Sequence, residues 1–244
     1  MRLTLSLVII MKKLLVTLDI NDYDKEITEL TFPYMREYAK NIDADFHIIT
    51  ERKFPNIPLR LEFFQLYEFS EIYDWIIFLD ADCLINPKGV DLTTLVEEDR
   101  VLIAKYNSPT HHFYPENIEG NYNLKYYAAF FFLVFNKNSK DCVKPYQNPY
   151  DYYEYINLNS AHPEMKTYMK IRTHLSEEEI KDTLIDEFLL TLNLHRYNIK
   201  TASLQEDFSK LNIIAHTSDA RDAKIKYLKD SIKQIKSINS ISYS

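Results

Sequence analysis

Five apolar residues in succession, Trp75-Ile76-Ile77-Phe78-Leu79, run directly into Asp80-Ala81-Asp82, and no other stretch constrains this chain as much. An unbroken apolar run of this length, bounded by charge, suits a strand buried on both faces of a parallel sheet. Open α/β sheets bind ligands outside the C-terminal ends of their strands, and the two carboxylates fall at such an end. Asp80 and Asp82 are two residues apart, so near a strand end both can point the same way. Two hard anionic oxygens so placed favour a divalent cation such as Mn2+ or Mg2+. A cation held by few protein ligands keeps positions open for substrate, phosphate oxygens above all. The bland alternative is an exposed Asp-x-Asp turn. A buried strand ahead of the pair and Leu84-Ile85 behind it favour the metal.

The rest of the chain reads as alternating strands and helices. Residues 14–18 form a first strand ending at Asp19. Residues 24–42 have helical spacing interrupted by Pro33, which predicts two short helices or one kinked helix. Residues 46–50 form the second strand. The apolar stripe Leu59, Phe63, Leu66, Phe69 and Tyr73 predicts a helix over 59–73. A strand–helix–strand–helix–strand order of this kind points to a right-handed, doubly wound parallel sheet. Further on, 92–96 reads as a helical turn, and 101–104 and 130–135 as strands. Residues 106–127 and the tyrosine-crowded 145–174 read as long loops of the kind that carry function. Ser176 and Glu179 have capping-box spacing and open a helix over 176–195. Residues 199–204 and 211–215 are short strands, the second ending at His216, and 224–236 form a C-terminal helix. Residues 1–10 read as an N-terminal extension ahead of Met11, 11–236 as one domain, and 237–244 as a frayed tail. No apolar stretch is long enough to span a bilayer.

Composition narrows the function. The net charge of −7 lacks the basic field of a nucleic-acid binder. Only two glycines occur, Gly89 and Gly120, so neither a Walker loop nor a Gly-x-Gly-x-x-Gly turn can be written. Phosphates of a bound nucleotide must then be neutralised by metal and side chains. Cys83 and Cys142 make no disulfide framework, which fits a reducing, cytoplasmic setting.

Four blocks in order give the chain a family likeness. They are Arg60-Leu61-Glu62 through Asp80-x-Asp82, Tyr127 to Asn136, Asp186-Glu187 with Asn193, and Ile213-Ile214-Ala215-His216 followed by Lys224. Together they resemble nucleotide-sugar glycosyltransferases of the A fold, and most nearly glycosyltransferase family eight, the glycogenin and galactosyltransferase-like group. The resemblance implies a single Rossmann-like α/β domain with a mixed, mostly parallel sheet flanked by helices. It implies Mn2+ (or Mg2+) as cofactor, held by Asp82 and His216, with Asp80 either a ligand or a holder of the donor ribose. It also implies a nucleotide-sugar donor, most often UDP-linked, and a glycan or other hydroxyl acceptor. Asp19 would meet the nucleoside, Arg60 the diphosphate or Asp80, and Lys224 or Arg221 the leaving phosphate. Asp186 or Glu187 would face the acceptor, as general base for inversion or as an orienting group for retention. Ala128-Ala129 stands where the family has an Asn-Gly type of turn, and the stretch from His216 to Lys224 lacks the family's glycine and proline. These departures leave the donor open.

Two other classes compete. Haloacid-dehalogenase-like phosphatases also open on Asp-x-Asp after an apolar strand, but there the motif sits near the N-terminus, with Thr or Val where this chain has Leu84. A non-catalytic nucleotide-sugar-binding module would keep the pocket and lack turnover.

Overall fold

The computed structural model describes residues 11–21, 23–54, 59–106, 127–145, 177–203, 214–217 and 219–241. The 1–10 extension, almost all of the 106–127 loop, the tyrosine-rich stretch, the Ser176 cap and residues 211–213 lie outside the described residues. Three strands, β1 (Lys13–Leu18), β2 (Asp45–Ile49) and β3 (Trp75–Leu79), run parallel with β1 in the middle. All five residues of β3 are buried, as an apolar run flanked on both faces demands. β5 (Arg100–Tyr106), β6 (Tyr127–Asn136) and β7 (Lys200–Ser203) complete a six-stranded sheet in the order β2-β1-β3-β6-β5-β7. Only β6 runs against the others: it is antiparallel to both β3 and β5, whereas β5 and β7 are parallel. The sheet is therefore mixed and mostly parallel, as the sequence reading expects. Because β6 is reversed, its N-terminal half lies beside the C-terminal ends of β3 and β5, with Leu79 opposite Phe132.

Alternation along the strands divides the core between the two faces of the sheet. Leu14, Val16, Ile76 and Phe78 face one layer, with Phe63, Phe64 and the apolar side of α3 (Glu177–Arg196). Leu15, Ile77 and Leu79 face the other, with Met35 and Tyr38 of α1 (Lys25–Asn41). Asp24 caps α1, its carboxylate accepting from Glu26 N and Ile27 N.

One helix expectation is narrowed and another needs correction. α1 is one helix through Pro33 rather than two short ones. Pro33 is exposed, so the carbonyl it leaves without a helical donor sits on the water side. The 59–73 segment is not one amphipathic α-helix but a 3-10 stretch, Leu59–Gln65, followed by a single turn, α2 (Leu66–Phe69). Four successive residues, Leu61 to Phe64, are buried there, a pattern no single α-helical stripe can produce. The cause is Glu62. Its buried carboxylate accepts from Lys53 N, Phe54 N, Arg52 Nε and Gln65 Nε2, which pulls the segment inward.

The last part of the described chain forms a separate layer. β4 (Leu84–Ile85) pairs antiparallel with β8 (Ile214–Ala215) in a ribbon outside the main sheet. α4 (Arg221–Ile241) then packs Ile225, Leu228 and Ile235 around Leu84 and Ile27. It continues past Lys236, where the sequence reading ends it. No described helix is long and apolar enough to cross a membrane.

Candidate functional site

The Asp-x-Asp turn is held from both sides of the sheet. Asp80 N donates to the Phe131 carbonyl of β6 (2.9 Å), Cys83 N donates to the Asp80 carbonyl (2.9 Å), and the Cys83 thiol donates to Phe131 O (3.3 Å). From α1, Thr31 Oγ1 donates to Ala81 O (2.5 Å). Its backbone is therefore set before any ligand arrives.

The antiparallel β4–β8 pair brings His216 to this turn. His216 Nε2 lies 3.6 Å from Asp82 Oδ1, and its ring stacks on Phe131 with centroids 4.1 Å apart and planes 4° apart. One residue, Phe131, thus fixes the acidic turn through its carbonyl and the imidazole through its ring. Lys224, in the first turn of α4, pairs with Asp82 Oδ2, and the two side chains are only 12% and 9% exposed. Burial works against the Lys224 charge, but Asp82 outweighs it and holds the ammonium above its usual range. Asp82 Oδ1 is buried without a hydrogen-bond partner. A buried carboxylate oxygen left unpaired is costly, and beside an imidazole it has the donor chemistry of a cation ligand. Asp82 and His216 therefore fit the expected metal. Cys83 Sγ completes a close trio, the three donor atoms lying within 4.8 Å of one another. Asp80 is not a member of that trio.

Asp80 faces the cleft instead. The cleft is lined by Tyr23, Arg60, Asp80, Asp82, Phe130 and Asp186 among others. Its empty space is about 630 Å³, counting the open mouth. Burial pushes the Asp80 carboxyl well above its ordinary range; Asp82 adds to this, and Arg60 and Lys224 oppose it. On the opposite wall, Arg60 Nη1 donates to Asp186 Oδ2 (3.2 Å), with Asp186 sealed inside α3 and Arg60 42% exposed. Burial opposes the Arg60 charge, yet Asp186 and Asp80 more than restore it. Burial also raises the Asp186 carboxyl, against the pull of Arg60. Tyr23 was not singled out in the sequence. It is 53% exposed and lines the cleft together with the acidic pair.

Asp19 does not line the cleft. Its Oδ1 accepts from Tyr23 N (3.0 Å), so it shapes the loop that presents Tyr23. Glu187 is half-buried and likewise absent from the lining, and its backbone carbonyl accepts from Thr191 Oγ1. Arg221 needs correction more plainly. Its guanidinium binds Asp24 (2.6 and 3.2 Å) and Glu26 (3.2 Å), clamping α4 to the start of α1 away from the cleft. Asn193, part of the family-like block, ties α3 to the carbonyls of Cys142 and Lys144. Neither Tyr23 nor Phe131 carries a motif of its own. The signal for both was position, just past a first strand and inside a strand opposite the acidic turn.

No protein-family model matches the sequence, and no curated protein matches it. Solved structures similar in chain path include a glycosyltransferase involved in glycosylation of the major capsid of PBCV-1 (11% identity, 89% of this chain and 99% of that one, TM-score 0.46). Another is the galactosyltransferase LgtC in complex with donor and acceptor sugar analogues (11% identity, 92% and 95% covered, TM-score 0.45). A third is a mutant Drosophila β1,4-galactosyltransferase 7 in complex with manganese, UDP-Gal and xylobiose (13% identity, 85% and 71% covered, TM-score 0.41).

Proposed function

We propose that this protein is a metal-dependent glycosyltransferase that moves a hexose from a nucleotide diphosphate sugar, UDP-linked, to a glycan or other hydroxyl acceptor. The observation that carries this reading is the unpartnered, buried Oδ1 of Asp82 facing His216 Nε2 at 3.6 Å, on a cleft that also holds Arg60. Two donors 134 positions apart in the sequence (216 − 82) converge there, at the strand edge where open α/β sheets bind ligands. The ordered sequence blocks of the family resemblance point the same way.

Each side chain has a task in such a reaction. Asp82 and His216 would hold the cation, with Asp80 reserved for the donor. The cation, when bound, supplies Lewis-acid neutralisation of the leaving diphosphate. Lys224 is held protonated beside Asp82 and adds a fixed positive charge on the same side. Arg60 presents a planar, permanently charged fork to the cleft, suited to phosphate oxygens. Asp186 lines the cleft beside Arg60 and accepts from it, so it orients the guanidinium as well as facing the acceptor. Tyr23 donates a hydrogen bond at the mouth.

The test is a thermal-shift series with UDP, GDP and CMP, each with Mn2+ or with EDTA, followed by donor hydrolysis and transfer assays. UDP should raise the melting temperature more with Mn2+ than with EDTA, by mass action on the folded state. Cleavage of phosphomonoesters with no response to nucleotides would instead return the site to the phosphatase class.

A further inference from the structure

We infer that Cys83 is a third, thiolate ligand of the Asp82–His216 centre, which makes this a site for borderline-soft divalent cations such as Zn2+ and Cd2+ as well as for Mn2+. This rests on the metal reading above and goes beyond it, because an Asp-x-Asp turn by itself offers only hard oxygen.

Three observations carry it. Cys83 Sγ, a carboxylate oxygen of Asp82 and a ring nitrogen of His216 all lie within 4.8 Å of one another. Asp82 is more than nine-tenths buried, and its Oδ1 has no hydrogen-bond partner. Cys83 is fully buried on the residue directly after Asp82, and its sulfur is fixed on the centre's side of the turn by its bond to Phe131 O (3.3 Å), the residue on which His216 stacks. One sulfur, one nitrogen and one oxygen make a donor set that zinc and cadmium take readily and magnesium does not. Metal–sulfur bonds of about 2.3 Å and metal–nitrogen bonds of about 2.0 Å require the trio to draw in slightly. In that movement the Cys83 sulfur gives up its hydrogen bond to Phe131 O. As the metal–sulfur bond forms, the S–H bond breaks and its proton leaves to solvent, as metal capture by thiols requires. Lys224 stays on the other oxygen of Asp82 and need not move. The second thiol, Cys142, is buried against a different part of the core and serves as an internal control.

The experiment titrates the intact protein with Cd2+ and, separately, with Mn2+. Cd2+ is followed by the ultraviolet thiolate-to-cadmium charge-transfer band and Mn2+ by the loss of its free-ion electron paramagnetic resonance signal. The expected result is a cadmium band that saturates at one ion per chain, persists in Cys142→Ser and disappears in Cys83→Ser. Cys83→Ser should weaken Cd2+ binding at least about tenfold and Mn2+ binding by less than about threefold, because sulfur matters far more to the softer ion. Mn2+ binding with no cadmium band in the unaltered protein, or a band that survives Cys83→Ser, overturns the thiolate ligand and leaves the glycosyltransferase reading standing. Failure of both ions to bind removes the metal reading together with this one. If Cys83→Ser does not fold, the band in Cys142→Ser decides the matter, because Cys83 is then the only thiol in the chain.

Discussion

Lys224 and Arg221 sit three residues apart at the start of α4, and each reaches an aspartate far away in the sequence, Asp82 and Asp24 respectively. The sequence gives them the same candidate role, a cation for the leaving phosphate. Their surroundings separate them. Lys224 and Asp82 are 12% and 9% exposed as a pair, whereas Arg221 is 54% exposed on the outer seam between α1 and α4. Near-adjacent cations on one helix turn therefore do different things: one tunes a binding site, the other staples two helices in water. Solvent decides which charges matter, since an exposed pair is screened and a buried one is not.

The largest effect that would break this comparison is on the Asp82 side. Asp82→Asn should lower glycosyl transfer on the order of a hundredfold or more, since even outer-shell partners of a metal are worth roughly ten- to a hundredfold. Its circular dichroism spectrum should be unchanged; loss of the fold would make Asp82 a structural residue instead. Next comes Lys224→Met, which strands the buried Asp82 carboxylate. About 3 kcal/mol of stability should go, as when one partner of a buried pair is removed. Added Mn2+ should restore more of the melting temperature in this variant than in the unaltered protein, because the cation supplies the missing charge. An equal rise in both would separate Lys224 from the metal centre.

A pH titration sharpens the contrast between buried and exposed charge. Asp186 has its carboxyl raised by burial, so the folded state holds that proton more tightly than the unfolded chain does. Its contribution therefore falls as pH rises from the ordinary value of 3.8 through the raised one, the reverse of a salt-bridged surface acid. Asp24, lowered chiefly by its hydrogen bond from Arg221, contributes stability that is lost as pH falls through its depressed value. Denaturant melts of Asp186→Asn and Asp24→Asn across the acid range should move stability in opposite directions. A common slope change would mean that burial does not distinguish the two sites. The smallest effect belongs to Arg221→Met. It should cost little stability, less still at high salt, and leave turnover unchanged. A loss of turnover without loss of stability would bring Arg221 back to the donor.

Much of this molecule can be read from its residues alone. The apolar run of β3, the acidic pair after it and the strands on either side all announce themselves through local pattern, because burial on two faces leaves a one-dimensional signature. His216 and Lys224 were reachable through family resemblance. The helix expected over 59–73 fails for a physical reason, the inward pull of a buried Glu62 on a segment whose apolar spacing looked helical.

Sequence by itself determined that a buried strand must deliver two carboxylates to a sheet edge, and that any bound phosphate must be met by side chains rather than a glycine loop. Only the tertiary structure decided which groups surround them. The reversal of β6 places Phe131 beside the acidic turn, the β4–β8 ribbon carries His216 onto it, and Cys83 lies beside both. It also paired Lys224 with the buried Asp82 and left Arg221 on the exposed seam between α1 and α4. The reason is range: side-chain spacing along a strand or helix is set by neighbours in the chain, but desolvation and charge pairing depend on residues as far apart as Asp82 and Lys224, separated by 142 positions.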